Sequence, residues 1–487
     1  MTGVAVPATA VDAAVADLVA DPSGGLYAST YETGRLVALV PWLAGHDRRV
    51  AHLLDTQHPD GSWDGPGGFA LVPTLSAVEA LLSLGRADVD AAVRRGLGAL
   101  DRLLAAADRD GLAGTLIPFL IVPALVADIN ARLGRERLAQ PAGADTAALA
   151  ALRDGGWRNP VSAFYLEIVG PAAAGSPDVP RADGVVGCSA AATAAWLGPV
   201  EPAPGGPGAG SARFLAAAQA ILGGPVAGLT SMTFFERAWA HRALSWAGVP
   251  AERTAALLAG LPADPGAGDV PAAPGFAPDS ESSALLLLAA ADRDGAIAEP
   301  AGLWAYDRGT HFLTTVPVGA PSVITNARVL EALDRYRRQG PADADRYADA
   351  VGRLTRHLLD QQAPDGSWQD RWHVSPHYAT TSCALALHAA GVAGPVARAA
   401  DWTRAAQRPD GSWGRWTGTA EETAYALMLL MSVPGDPEPV ARGLAFLRGA
   451  DPTDPHPPLW VGKDLYAPVN LVRAAVLAVL AKGEGRP

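Results

Sequence analysis

Cysteine is almost missing from this chain: Cys188 and Cys383 are the only two in 487 residues. They stand far apart, and no Cys/His spacing of a zinc site accompanies them, so neither a disulfide framework nor a structural zinc centre is expected. A reduced, cytoplasmic location is the simplest expectation. Lysine is equally scarce, with Lys463 and Lys482 alone, and arginine accounts for the rest of the 38 basic residues. Charged residues make up 18% of the chain and leave a net charge of −12. That balance argues against a nucleic-acid partner, whose phosphates need a basic surface; an anionic substrate would need a local basic pocket. No apolar run is long enough to span a bilayer, so no integral membrane segment is expected. The most apolar stretch, residues 115–127, is short, contains Pro118 and Pro123, and reads as a buried helix bounded by proline. Residues 1–20 lack the basic-then-apolar order of a secretory signal.

What is present is apolar and helical. Apolar residues reach 49%, enough for two domains with real cores at this length. They recur at three and four positions in segments 214–222, 255–261, 284–291, 351–359, 420–431 and 469–480, which predicts helices, while strand signals are nearly absent. Pro/Gly-rich linkers fall at 201–210 and 262–278. Three segments, 57–63, 362–368 and 407–413, read Gln-x-x-Asp-Gly-Ser-Trp, the last two being 45 positions apart. That period suits one helix pair per repeat, and such pairs stack into an α/α toroid. In each repeat glycine permits a tight turn, aspartate can cap a helix, and Gln57, Gln362 or Gln407 with its tryptophan can tie the turn to its neighbour. The repeats are therefore expected to stabilise rather than catalyse. Thr419 followed by Glu422 has the form of a capping box, so Glu421 and Glu422 are expected to be structural.

The repeated Gln-x-x-Asp-Gly-Ser-Trp resembles the QW motif of squalene-hopene and oxidosqualene cyclases and of class II diterpene cyclases. The C-terminal Trp460-Val461-Gly462-Lys463-Asp464-Leu465-Tyr466 is similar to text in bacterial class II diterpene cyclases. So, in the same order, are Tyr31-Glu32-Thr33-Gly34, Val72-Pro73-Thr74-Leu75, Phe235-Glu236-Arg237-Ala238-Trp239, Thr325-Asn326-Ala327 and Trp372-His373-Val374-Ser375-Pro376. The resemblance covers nearly the whole chain. It implies an all-α fold of two α/α-barrel (toroid) domains in the βγ arrangement: residues 1–25 plus 216–487 as the β domain, 26–215 as the inserted γ domain, and a substrate cavity between them. No Asp-Asp-x-x-Asp motif occurs, so a diphosphate is expected to survive the reaction.

In such cyclases the middle aspartate of an Asp-x-Asp-Asp motif protonates an alkene, and the aligned text here is Asp279-Ser280-Glu281-Ser282. The resemblance implies Glu281 as the acid, Asp279 as its partner and Ser282 in place of the last aspartate. The extra methylene of Glu281 moves the proton by about a bond length, to which general-acid geometry is sensitive. Burial must keep the acid neutral against the pull of a helix N-terminus toward the anion. A plain helix cap at Asp279 or Ser280 is the local alternative.

Lys463 is the candidate diphosphate contact, with Arg371, Arg415 and Arg473 as further charges. Family practice implies Mg²⁺ as cofactor, with Glu167 near it. Trp372, Tyr378, Trp304, Phe312 and Phe235 are candidate cavity walls for a carbocation, and Asn326 is a candidate for orienting water or a base. The function so implied is protonation and cyclisation of geranylgeranyl diphosphate to a bicyclic labdane, halimane or clerodane diphosphate, a small-molecule reaction with a downstream class I terpene synthase as a candidate partner. The same chemistry on farnesyl diphosphate or another prenylated substrate, or a degenerate homologue that binds without turnover, stays open at this point, as does oligomeric state.

Overall fold

Apolar spacing of three and four becomes helix in all six of the segments named above, and the breadth of the apolar face decides the layer each helix joins. Ala420–Ser432 is buried at every position from Ala420 to Met431, whereas Ala344–Asp360 buries only the stripe Tyr347, Ala350, Leu354 and Leu358. A helix apolar all round must be interior, and a striped one must lie outside it. The computed structural model describes residues 8–20, 27–110, 116–229, 232–262, 265–267, 270–316, 321–451 and 456–485.

Two closed rings of inner helices result. In the first, Thr30–Leu39, Leu71–Ser83, Leu116–Leu133, the 3-10 run Pro160–Ile168 and Ala190–Leu197 pack in succession, and the last returns to the first. His46–Asp55, Asp90–Asp110, Thr146–Arg153 and Ala209–Ile221 cover it from outside. In the second, Thr233–Trp246, Ser280–Asp294, Val323–Arg337, Pro376–Ala389, Ala420–Ser432 and Val469–Glu484 close in the same way. Its outer layer includes Ala251–Leu258, Ala344–Asp360, Ala393–Ala405, Glu438–Gly449 and the N-terminal helix Ala8–Ala20, which packs on Val469–Glu484. Both are α/α barrels.

Residue 25 lies outside the described residues. A division at 215 would cut Ala209–Ile221, a helix that packs on Ala190–Leu197. Chain entry to and exit from the first barrel meet instead at the Ala28–Ala227 bridge, where Ser29 N–H donates to Val226 O at 2.8 Å. Of the apolar stretch 115–127, residue 115 lies outside the described residues; the remainder runs in Leu116–Leu133, with Pro123 inside the helix rather than at its boundary.

All three repeats fold alike. The Gln362 amide donates to Gly366 O at 2.9 Å and to Pro395 O at 3.0 Å, stapling the end of one outer helix to the start of the next. Gln57 and Gln407 make the equivalent pairs with Gly61 and Ala92 and with Gly411 and Pro439. Trp63, Trp368 and Trp413 are wholly buried, and their indole N–H groups donate to Leu53, Leu358 and Thr403 carbonyls. Each aspartate caps its own turn through the following serine, not a helix. Gly366 and Gly411 have φ of 100° and 89°, and a Cβ there would lie 2.6 and 2.7 Å from a backbone carbonyl of the next outer helix. These repeats hold the barrel wall together. Gln362→Ala is expected to cost about 1–2 kcal/mol in urea unfolding, since two carbonyls lose their donor. An unchanged midpoint would contradict the stapling role.

Candidate active site

An apolar cavity lies between the two barrels. Leu120, Val161, Phe164 and Tyr165 of the first barrel face Phe235, Ile324, Trp372, Tyr378, Trp460 and Tyr466 of the second across it. Three polar side chains of the acid segment, Asp279, Glu281 and Ser282, enter the same lining.

The segment caps a helix and brings two carboxyl groups to the cavity lining. Asp279 is the N-cap of Ser280–Asp294: its carboxylate accepts from Ser282 N–H at 2.7 Å and from Ser282 Oγ at 2.7 Å. Asp279 is thus engaged by Ser282 rather than by the carboxyl of Glu281. Ser280 Oγ donates to Leu313 O at 2.8 Å and Ser283 Oγ to Asp279 O at 2.8 Å, which pins the first turn. Glu281, next in the turn, is left to face the cavity. Its Oε2 accepts a hydrogen bond from Thr325 Oγ1 at 3.0 Å, and Thr325 pairs with Thr314 at 2.8 Å.

Electrostatics favour a neutral acid. Burial, then the neighbouring Asp370 and Asp279, push the Glu281 carboxyl up to about 8, against the pull of Arg328 and the Thr325 bond. Burial also raises Asp279, to about 6, although the Ser282 bonds oppose it. The helix N-terminus does not prevail at Glu281. Asp370 was not singled out in the sequence. It accepts from Ser322 Oγ at 2.7 Å and from Trp372 N–H at 2.9 Å, and so joins the cap of the Thr325 helix to a cavity-wall residue.

The cavity's second-barrel wall is aromatic. Trp460 lies 5.1 Å from Tyr378, 6.0 Å from Phe235 and 6.2 Å from Tyr466, ring centre to ring centre. Electron-rich faces of this kind stabilise a cation without supplying a nucleophile. Phe235, Trp372 and Tyr378 are among the residues that line the cavity.

Other expected residues stand elsewhere. Trp304 and Phe312 pack on each other at 6.0 Å, and Trp304 packs on Tyr347 at 5.3 Å, away from the cavity lining. Asn326 spends its amide on Phe312 N–H, Phe312 O and Ser322 O, at 2.8, 3.0 and 2.7 Å, which makes it a structural amide. Arg415 donates to Val374 O at 2.6 Å, and Arg473 pairs with Asp17. Among the described residues, Arg371 is the one arginine or lysine of the lining.

Lys463 is buried behind that lining, not exposed to it. Its side chain has no accessible surface, and its three N–H groups meet Glu32 at 2.8 Å, Glu167 at 2.9 Å and Ser189 Oγ at 2.6 Å. A fully paired ammonium has no donor left for phosphate oxygen. Glu167 also accepts from Tyr31 OH at 2.6 Å, and among the described residues its Oε2 has no partner. Lys463 already occupies the point where Glu32 and Glu167 converge, and among the described residues no cluster of three or more His, Cys, Asp or Glu could hold a metal. These side chains do not form a Mg²⁺ site of their own. Among the described residues no helix is long and apolar enough to cross a membrane.

Known proteins share this architecture. Residues 302–456 match the family "Squalene-hopene cyclase C-terminal domain". An ent-copalyl diphosphate synthase of Streptomyces sp. (strain KO-3988) is 41% identical, with 96% of this chain and 94% of the relative covered. A labda-7,13-dienyl diphosphate synthase of Streptomyces clavuligerus is 37% identical, covering 99% and 94%. The solved ent-copalyl diphosphate synthase from Streptomyces platensis superposes with a TM-score of 0.88 at 41% identity, over 98% of this chain and 99% of that one. Likeness that runs end to end through both barrels, and through the wall that carries the acid, places the protein among the class II diterpene cyclases.

Proposed function

We propose that the protein protonates geranylgeranyl diphosphate from Glu281 and cyclises it to a bicyclic diterpenyl diphosphate of labdane, halimane or clerodane type. The observation that carries this reading is the Glu281 carboxyl, held neutral in the wall of an apolar cavity between the barrels. The copalyl and labdadienyl diphosphate synthase names of the relatives support the substrate class.

Glu281 transfers its proton to the distal alkene, the resulting cation is captured by successive alkenes as two rings close, and loss of a proton ends the sequence. One proton enters and one leaves, so the product is an isomer with the diphosphate intact. Thr325 holds Oε2 of Glu281 in place, and the aromatic wall lowers the cost of the cation. Arg371, the one arginine or lysine of the lining among the described residues, is the proposed diphosphate contact. Arg371→Ala is expected to raise KM about tenfold or more with a smaller change in kcat; an unchanged KM would remove Arg371 from this role.

The test incubates purified protein in parallel with geranylgeranyl and farnesyl diphosphates and Mg²⁺, treats with phosphatase, and identifies the alcohols by mass spectrometry. Bicyclic C20 alcohol from the first substrate is expected. Only linear alcohols at high protein would overturn the proposal, and cyclic alcohol from farnesyl diphosphate alone would replace its substrate.

A further inference from the structure

Glu421 is wholly buried behind the aromatic wall. Its Oε1 accepts from Trp460 Nε1 at 2.7 Å, Tyr425 OH at 3.1 Å and His373 Nε2 at 3.1 Å. Among the described residues its Oε2 has no hydrogen-bond partner, and His456 Nε2 stands 3.9 Å from it. Ser375 N–H donates to His373 Nδ1 at 3.1 Å, which places a ring proton on Nε2, toward Glu421. No arginine or lysine pairs with this carboxylate among the described residues. Burial opposes ionisation, but the His373 bond, the fields of His373 and His456 and the Trp460 bond outweigh it and hold Glu421 below the ordinary carboxylate range.

A buried carboxylate whose ion-pair partners among the described residues are imidazoles, with no arginine or lysine, is costly to fold. The helix start does not require it, because the neighbouring Glu422 fills the capping role with Thr419 and with Arg415 N–H. Trp460 and Tyr378, which separate Glu421 from the cavity, both line the cavity, and the Tyr378 and Tyr425 rings are 4.7 Å apart. An indole whose N–H donates to a carboxylate presents a more electron-rich face.

We infer that Glu421 is a positioning residue for cyclisation: a fixed negative charge that acts through the rings of Trp460 and Tyr378 as counter-charge to the carbocation. It touches no reacting atom. Its resting partners among the described residues are imidazoles rather than an arginine or lysine, which leaves its charge to act on the reaction's own cation. The inference rests on the cyclisation proposed above.

Glu421→Gln keeps size and acceptor while removing the charge. On geranylgeranyl diphosphate it is expected to lower kcat on the order of tenfold or more, leave KM within about twofold, and divert product toward a singly cyclised alcohol released early. Its melting temperature is expected to match or exceed that of the parent, since a neutral side chain is easier to bury. Trp460→Phe, which keeps a ring and removes the N–H link, should change products in the same direction. Parental kcat and products in Glu421→Gln would overturn the inference, as would a lowered melting temperature or failure to fold, either of which makes Glu421 part of the scaffold. The parent enzyme in the same assay separates the two readings: if it yields no cyclic product the proposed function fails, whereas an active parent matched by Glu421→Gln sinks only the counter-charge.

Discussion

Glu281→Gln is expected to lower kcat on the order of a thousandfold, the range lost when a general acid is removed. An amide retains the volume of the carboxyl and can still accept from Thr325, so the cavity and the fold should persist. What it lacks is a proton acidic enough to give to an alkene. Single-turnover measurement with excess enzyme reads the chemical step directly, and a Gln variant that cyclises at the parental rate would remove Glu281 from the role of acid. Glu281→Asp restores the aspartate usual in this family but withdraws the carboxyl from Thr325 by one methylene. Its rate is expected between those of Gln and the parent, because the cavity is fitted to the longer side chain.

The same acid sets the pH response. Glu281 must carry its proton to act, and its folded value is pushed up to about 8. Activity should hold below that value and fall as pH rises through it. Stability should move in parallel: from the ordinary glutamate range up to about 8 the folded chain binds a proton that the unfolded chain does not, so raising pH across that window weakens folding.

How much of this was legible in the sequence depended on chain distance. The Gln-x-x-Asp-Gly-Ser-Trp turn carries its glycine, its Asp-Ser pair and its stapling glutamine within seven residues, so fold and role could both be read locally. Asp279 could be read as a cap or as part of an acid site because the partner of its carboxylate, Ser282, is three residues away; in the structure Asp279 caps the helix and lines the cavity beside Glu281. Thr325 meets Glu281 across 44 residues, and Trp460 meets Glu421 across 39. No periodicity records such pairings. Glu421 was hidden further by its neighbour: a capping-box pattern explained both glutamates, although only Glu422 serves it. Lys463 was singled out by its rarity, but the acids that pair with it lie in the other barrel, Glu32 being 431 residues away.

That ammonium therefore belongs to the junction of the barrels, and Lys463→Met is expected to destabilise the protein by about 3–5 kcal/mol, the cost of stripping one partner from a buried ion group. Methionine fills nearly the same space, so packing loss is minor. What remains is two buried carboxylates, on Glu32 and Glu167, facing each other with no cation between them. Burial, assisted by Glu167, already holds Glu32 above its ordinary value despite Lys463. Without the ammonium, which lowers it, Glu32 should retain its proton to higher pH. The folded variant then binds a proton that the unfolded chain releases, so its deficit should shrink on acidification and grow as pH rises. Urea unfolding at several pH values measures this, with a lower midpoint and an unchanged slope as the expected signature. Adding Glu167→Gln to Lys463→Met should recover part of the loss, because one stranded charge is gone. The kinetic arm separates this from a phosphate contact: among molecules that remain folded, KM for the diphosphate substrate should match the parent. A raised KM with stability intact would return Lys463 to the substrate.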